Sequence, residues 1–118
     1  MDTQMPKQLQ DKIAQFQTLQ NQLQMMSMQK QQLYMQSADT ENALKALVDV
    51  SGEKVYKVAG PLLIETTKDA SEKKLKEDKE LCDTRMKMIE KQETKLTEKL
   101  DELRNELQSM MKPGTGAM

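Results

Sequence analysis

The sequence has no Trp and no His, one Phe (Phe16), two Tyr (Tyr34 and Tyr56) and a single Cys, Cys82. Glycine and proline are almost as scarce: Pro6, Pro61 and Pro113, and Gly52, Gly60, Gly114 and Gly116. Each shortage excludes something. Residues 7–51 and 62–112 contain neither Gly nor Pro, so the many turns of a sandwich, barrel or α/β domain have no place to form. With only three aromatics there is no thick core. Without His the usual neutral-pH base is missing, and no Gly-rich phosphate loop or Cys/His metal spacing is present. The many carboxylates lie among lysines on helical faces. No catalytic residue, metal site or cofactor is therefore expected, and the chain does not read as an enzyme. One cysteine allows no intrachain disulfide. No apolar run approaches the ~20 residues of a membrane span, and the N-terminus lacks the layout of a secretion signal. The expectation is a soluble cytoplasmic chain in a reducing compartment, with no membrane partner.

What is present is charge and helix-forming residues. Charged residues make up 31% of the 118, with 18 basic and 19 acidic. Lys87, Lys91, Lys95 and Lys99 recur every four residues, but Glu90, Glu98 and Glu102 stand among them, so the row is a solvated face rather than a phosphate track. No nucleic-acid partner is expected. Residues 7–50 form a Gln-rich segment with a heptad pattern. Its a/d series is Leu9, Lys12, Phe16, Leu19, Leu23, Met26, Lys30, Leu33, Ser37, Thr40, Leu44 and Leu47. Lys12, Lys30 and Ser37–Thr40 interrupt an otherwise apolar seam. Residues 68–111 repeat the pattern more cleanly. Leu75, Cys82, Ile89, Leu96, Leu103 and Met110 are seven apart, with Lys79, Met86, Glu93, Leu100 and Leu107 as companions. On this seam Cys82 reads as a small buried hydrophobe. Thr66 with Asp69, or Asp69 with Glu72, offers a helix N-cap. The similar lengths of the two segments predict an antiparallel two-helix coiled coil. Residues 1–6 and 112–118 read as tails.

The insert, residues 51–67, differs from both arms. Val55, Tyr56, Val58, Leu62, Leu63 and Ile64 favour strand, and Gly60-Pro61 divides them. The pattern predicts strands at 55–59 and 62–66 around that turn. Tyr56 and Val58 fall on one side, with Val55 and Leu63 turned elsewhere, so both faces carry apolar groups. A lone two-stranded hairpin is marginal in water. These six residues are therefore candidates for assembly with other subunits, the alternative being a hairpin folded back on its own coiled coil. The fold class is mainly α: two long helices with a β-hairpin between them, in one domain spanning 1–118.

This layout resembles the prefoldin β-type subunit of archaea and the related eukaryotic subunit. Val55-Tyr56-Lys57, Gly60-Pro61, Leu62-Leu63-Ile64 and Thr67-Lys68 carry the resemblance, with Leu19, Leu23 and Gln29-Lys30-Gln31 of the first helix. It covers nearly the whole chain. Glu65 departs from it, at a position where the resemblance leads one to expect a basic residue. The resemblance implies a hexamer of two α-type and four β-type subunits, joined by their hairpins into a double β-barrel platform. It implies a chaperone that needs no ATP. The coiled-coil ends would hold non-native proteins and pass them to a group II chaperonin. Carried onto this sequence, the client-binding candidates are Met5, Leu9, Ile13 and Phe16 of the first helix, and Leu103, Leu107, Met110 and Met111 of the second. Leu9, Phe16, Leu103 and Leu107 serve equally well as ordinary seam residues. Met5, Ile13 and Met111 lie off the cleanest register and are expected to be exposed. Met25-Met26-Ser27-Met28 reads as seam plus flank. A structural coiled-coil scaffold or adaptor, without affinity for unfolded chains, is the alternative.

Overall fold

In a computed structural model, which describes residues 6–111, helix α1 (Lys7–Val48) leads to strands β1 (Lys54–Ala59) and β2 (Leu62–Thr67), then to helix α2 (Lys68–Met111). The described residues fall into two compact units. One comprises the chain up to Gln29 and from Ile89 onward, the other Lys30–Met88.

Both helices are shaped by their seams. Every one of the α1 a/d positions from Leu9 to Leu47 is buried or half-buried, while almost all the residues between them are exposed. In α2 the same holds for Leu75, Lys79, Cys82, Met86, Ile89, Glu93, Leu96, Leu100, Leu103 and Leu107. A two-helix coil has only this stripe to bury, which is why, among the described residues, no side chain is completely enclosed. The last position of the α2 series departs from expectation. Met110 is 41% exposed, because the stripe runs out at Leu107.

The polar interruptions of the seam are accommodated individually. In the first unit Lys12 ion-pairs with Glu106, near the opposite end of the chain, so the helices there run antiparallel. Its stem can lie along the seam while its ammonium stays partly in water. In the second unit Thr40 Oγ1 donates to its own helix at Gln36 O (2.8 Å), which satisfies the hydroxyl without a partner across the seam. Cys82, a free thiol, is buried there and donates to Gln36 Oε1 at 3.6 Å.

The helix ends are built locally. Asp49 and Val50 donate to Ala46 O and Leu47 O, tightening the last turn of α1. Lys68 Nζ donates to Val50 O at 2.9 Å, placing a cation at that C-terminus. Gly52, with φ +105°, turns the chain into β1. The strands are each longer than expected by one residue at the outer end, Lys54 and Thr67. No loop separates β2 from α2. Lys68 N still donates to Glu53 O, while Thr67 Oγ1 accepts from Ala70 N at 3.1 Å. The cap of α2 is therefore Thr67, not Thr66 or Asp69, and the residue ending the strand also starts the helix.

Candidate functional site

Two regions gather the candidate residues: the hairpin in the second unit and the helix ends in the first. In the hairpin, Ala59 pairs with Leu62, so the turn has only Gly60 and Pro61 at its centre. Gly60 has φ +60°, and the ring of Pro61 fixes a negative φ. That combination is a type II′ turn, whose twist matches the right-handed twist of paired strands. The register follows directly. Tyr56 faces Glu65 and Val58 faces Leu63; Val55 faces Thr66 and Lys57 faces Ile64.

Alternation then sorts the side chains. Tyr56, Val58 and Leu63 share one face with Lys54, Glu65 and Thr67. Leu63 therefore stands beside Val58, not away from it as the sequence suggested. Val55, Ala59, Leu62 and Ile64 share the other face. All of Tyr56, Val58, Leu62, Leu63 and Ile64 are exposed, with Val58 and Leu63 each 71% open; Val55 is half-buried. Both strands are also edges, since the sheet has two strands only. Each strand thus presents a row of backbone N–H and C=O groups outward. Glu65, on the first face, lies 4.0 Å from Lys54 Nζ, so its charge is partly offset by a neighbour on the same face.

Below the hairpin, Leu44, Leu47, Val48, Lys68, Glu72 and Lys76 line a hollow of about 280 Å³. Lys76 donates to Glu72 at 2.9 Å, one helical turn away, and holds its carboxyl below the usual carboxylate range. Val48 is exposed beside this hollow. The sequence reading missed it. Its signal is a large apolar residue placed directly after the last seam leucine.

At the helix ends the structure separates the candidates. Leu9 and Leu103 are buried in the seam, and Ile13, Phe16 and Leu107 are half-buried. Ile13 is thus less open than expected. The Arg104 guanidinium stands 5.9 Å from the centre of the Phe16 ring, covering one side of it, and also contacts Asp101 at 3.3 Å. Met110 and Met111 are exposed, Met111 at 60%. Met5 lies outside the described residues. Of the middle cluster, Met26 sits on the seam while Met25 and Met28 are exposed flank.

The chemistry these surfaces offer is association. They present apolar side chains and open backbone ladders rather than an enclosed polar centre. Among the described residues no group of three or more acidic, Cys or His side chains could hold a metal ion. No described helix is long and apolar enough to cross a membrane.

Comparison with known proteins agrees with this architecture. A family model described as "Prefoldin subunit" matches residues 10–113. The chain is 37% identical over 111 residues to the prefoldin subunit beta of Thermococcus kodakarensis, covering 93% of this chain and 95% of that relative. It is 39% identical over 113 residues to the prefoldin subunit beta of Archaeoglobus fulgidus, covering 95% and 97%. Among solved structures, the prefoldin beta subunit from Thermococcus strain KS-1 matches with a TM-score of 0.80 and 35% identity, over 95% of this chain and 99% of that one. The beta2 subunit from the same strain shares the fold, with a TM-score of 0.68 at 22% identity over 76% of this chain.

Proposed function

The chain belongs to the prefoldin family, and from that premise we propose that it is a subunit of an ATP-independent cytoplasmic chaperone. It assembles through its hairpin with α-type prefoldin subunits and further β-type copies into a hetero-hexamer. It holds non-native proteins at the ends of its coiled-coil arms and delivers them to a group II chaperonin. It uses no cofactor and catalyses no reaction.

The observation that carries this reading is the hairpin. A pair of strands with five exposed large apolar residues and two open edges is an interface without its partner. A scaffold needs only the arms and gives no reason for such an insert. The roles proposed for the arm ends rest on exposure. Met110 and Met111 are open, and Ile13, Phe16 and Leu107 are half-open at a place where the seam finishes. A small separation of the helices there enlarges one apolar patch. Methionine's flexible, polarisable side chain suits a surface that must accept many shapes.

The test is an aggregation assay. The chain, assembled with an α-type partner, should keep a chemically unfolded protein soluble without nucleotide. Unchanged light scattering at several-fold molar excess of the complex over client refutes the reading. Helical, assembled protein giving that result points instead to a scaffold.

A further inference from the structure

Between Ile13 and Gln29, α1 carries no charged residue at all. The α2 segment of the same unit, Ile89–Met111, is densely charged. A groove forms where these unlike surfaces meet. It holds about 420 Å³ and is lined by Gln22, Met25, Met26 and Gln29 from α1, and by Gln92, Lys95, Leu96 and Lys99 from α2.

The lining sorts by chemistry. Met26 and Leu96 are seam residues and form an apolar floor, and Met25, 61% exposed, forms an apolar lip. Gln22, Gln29 and Gln92 supply amides, each able to donate and accept. None of the three side chains is hydrogen-bonded to another described residue. Lys95 and Lys99, one helical turn apart, form a cationic rim. Some lysines are matched with acids, as Lys12 is with Glu106, Lys74 with Asp78 and Lys76 with Glu72, while among the described residues Lys87 and Lys91 of the same row are not. Among the described residues, neither Lys95 nor Lys99 reaches a carboxylate. The groove therefore has an apolar floor, exposed amides and, on one side, two lysines without a direct ion pair, with Glu98 and Glu102 near them on the same helix.

We infer that this groove is a second polypeptide-binding site, separate from the arm ends, which takes an extended segment carrying an apolar side chain beside a carboxylate. The inference rests on the chaperone reading and adds to it a site and a preference. An extended segment brings backbone N–H and C=O groups that need partners when they leave water, and the amides provide both. The apolar side chain lies between Met25 and the floor. Its neighbouring Asp or Glu meets Lys95 and Lys99. A purely apolar segment leaves the rim unmatched, and a basic one is repelled by it.

The test uses the complex with its α-type partner and short labelled peptides. One has a central Leu flanked by Glu, a second has Lys in place of Glu, and a third keeps Glu but has Ser in place of Leu. The first should bind about fourfold tighter than the second, the scale of exposed charge pairs, and tighter than the third. With methyl-labelled methionine, the Met25 and Met26 signals should shift on binding. Lys95→Gln with Lys99→Gln should erase the preference for Glu over Lys, whereas Lys91→Gln, outside the groove, should retain it. Equal binding of the acidic and basic peptides overturns the inference. So does a preference that survives the double substitution, or Met25 and Met26 signals that stay fixed. A complex that keeps unfolded protein soluble yet shows no such preference overturns the groove and leaves the chaperone reading standing. A complex that holds no unfolded protein overturns both.

Discussion

Truncating Leu63 to Ala should weaken assembly about tenfold per hairpin contact. Leu63 is 71% exposed in the isolated chain, so most of its surface is available for burial by a partner. Removing the side chain beyond Cβ deletes about three carbons, each worth roughly 0.8 kcal/mol when fully buried. Scaled by the exposed fraction, the loss is about 1.5 kcal/mol, or a factor of about ten in the association constant. The truncation should not disturb the chain itself, because Leu63 is far from fully packed before assembly. Leu63→Asp goes further, since it places a carboxylate without a partner in the interface, and should abolish assembly. Sedimentation velocity over a dilution series with an α-type partner reads the midpoint, and circular dichroism checks the helices. Met35→Ala is the control, since Met35 is equally open, at 67%, but lies on α1 away from the hairpin. If Leu63→Ala moves the midpoint less than Met35→Ala does, or if Leu63→Asp still assembles, the hairpin faces are not the interface.

Other outcomes follow from the same geometry. Gly60→Ala meets no atom within 4 Å but must keep φ near +60°. It should cost about 1–2 kcal/mol, seen as roughly tenfold faster amide exchange in the ladder, with D-Ala restoring protection; equal exchange for both forms refutes the turn assignment. Leu100→Ala, at a seam position only 8% exposed, should lower unfolding stability by about 2–3 kcal/mol, against about 0.5 kcal/mol or less for Met28→Ala on the open flank; chemical denaturation distinguishes them. The depressed folded pKa of Glu72 means that its pairing with Lys76 stabilises above the usual carboxylate range and is lost as pH falls through the folded value. In Lys76→Met the Glu72 titration seen by NMR should move up, and any melting difference from the parent at neutral pH should vanish in acid.

The seams were legible because a repeat of seven leaves a mark in a chain with little else that is apolar. Even the polar positions in the series proved to be seam positions. Spacing alone could place Lys12 and Thr40 there but could not say what satisfied them. One needed Glu106 from the far end of the chain, and the other needed only its own helix. The turn was legible from Gly60-Pro61, since few backbones suit that pair. The cap was misplaced by one residue because Thr67 has two duties, and residue types record only one. Face assignment in the hairpin failed at Leu63 because it depends on pairing register. Register is fixed by turn geometry, not by the strand residues themselves. The groove at Met25 was beyond reach for a similar reason. It exists only where particular turns of two helices stand side by side, and the sequence shows only the uncharged run and the lysine row separately.

The two open edges of the hairpin bear on what happens to the chain before it meets its partners. An unassembled copy displays unpaired ladders and bare apolar side chains together, which are the features by which any incompletely folded protein is recognised. By the reading proposed here, a finished complex would treat such an orphan as a client. Supply of the β-type chain in excess of its partners would then occupy the chaperone with its own subunits, so that balanced synthesis becomes a condition of its capacity.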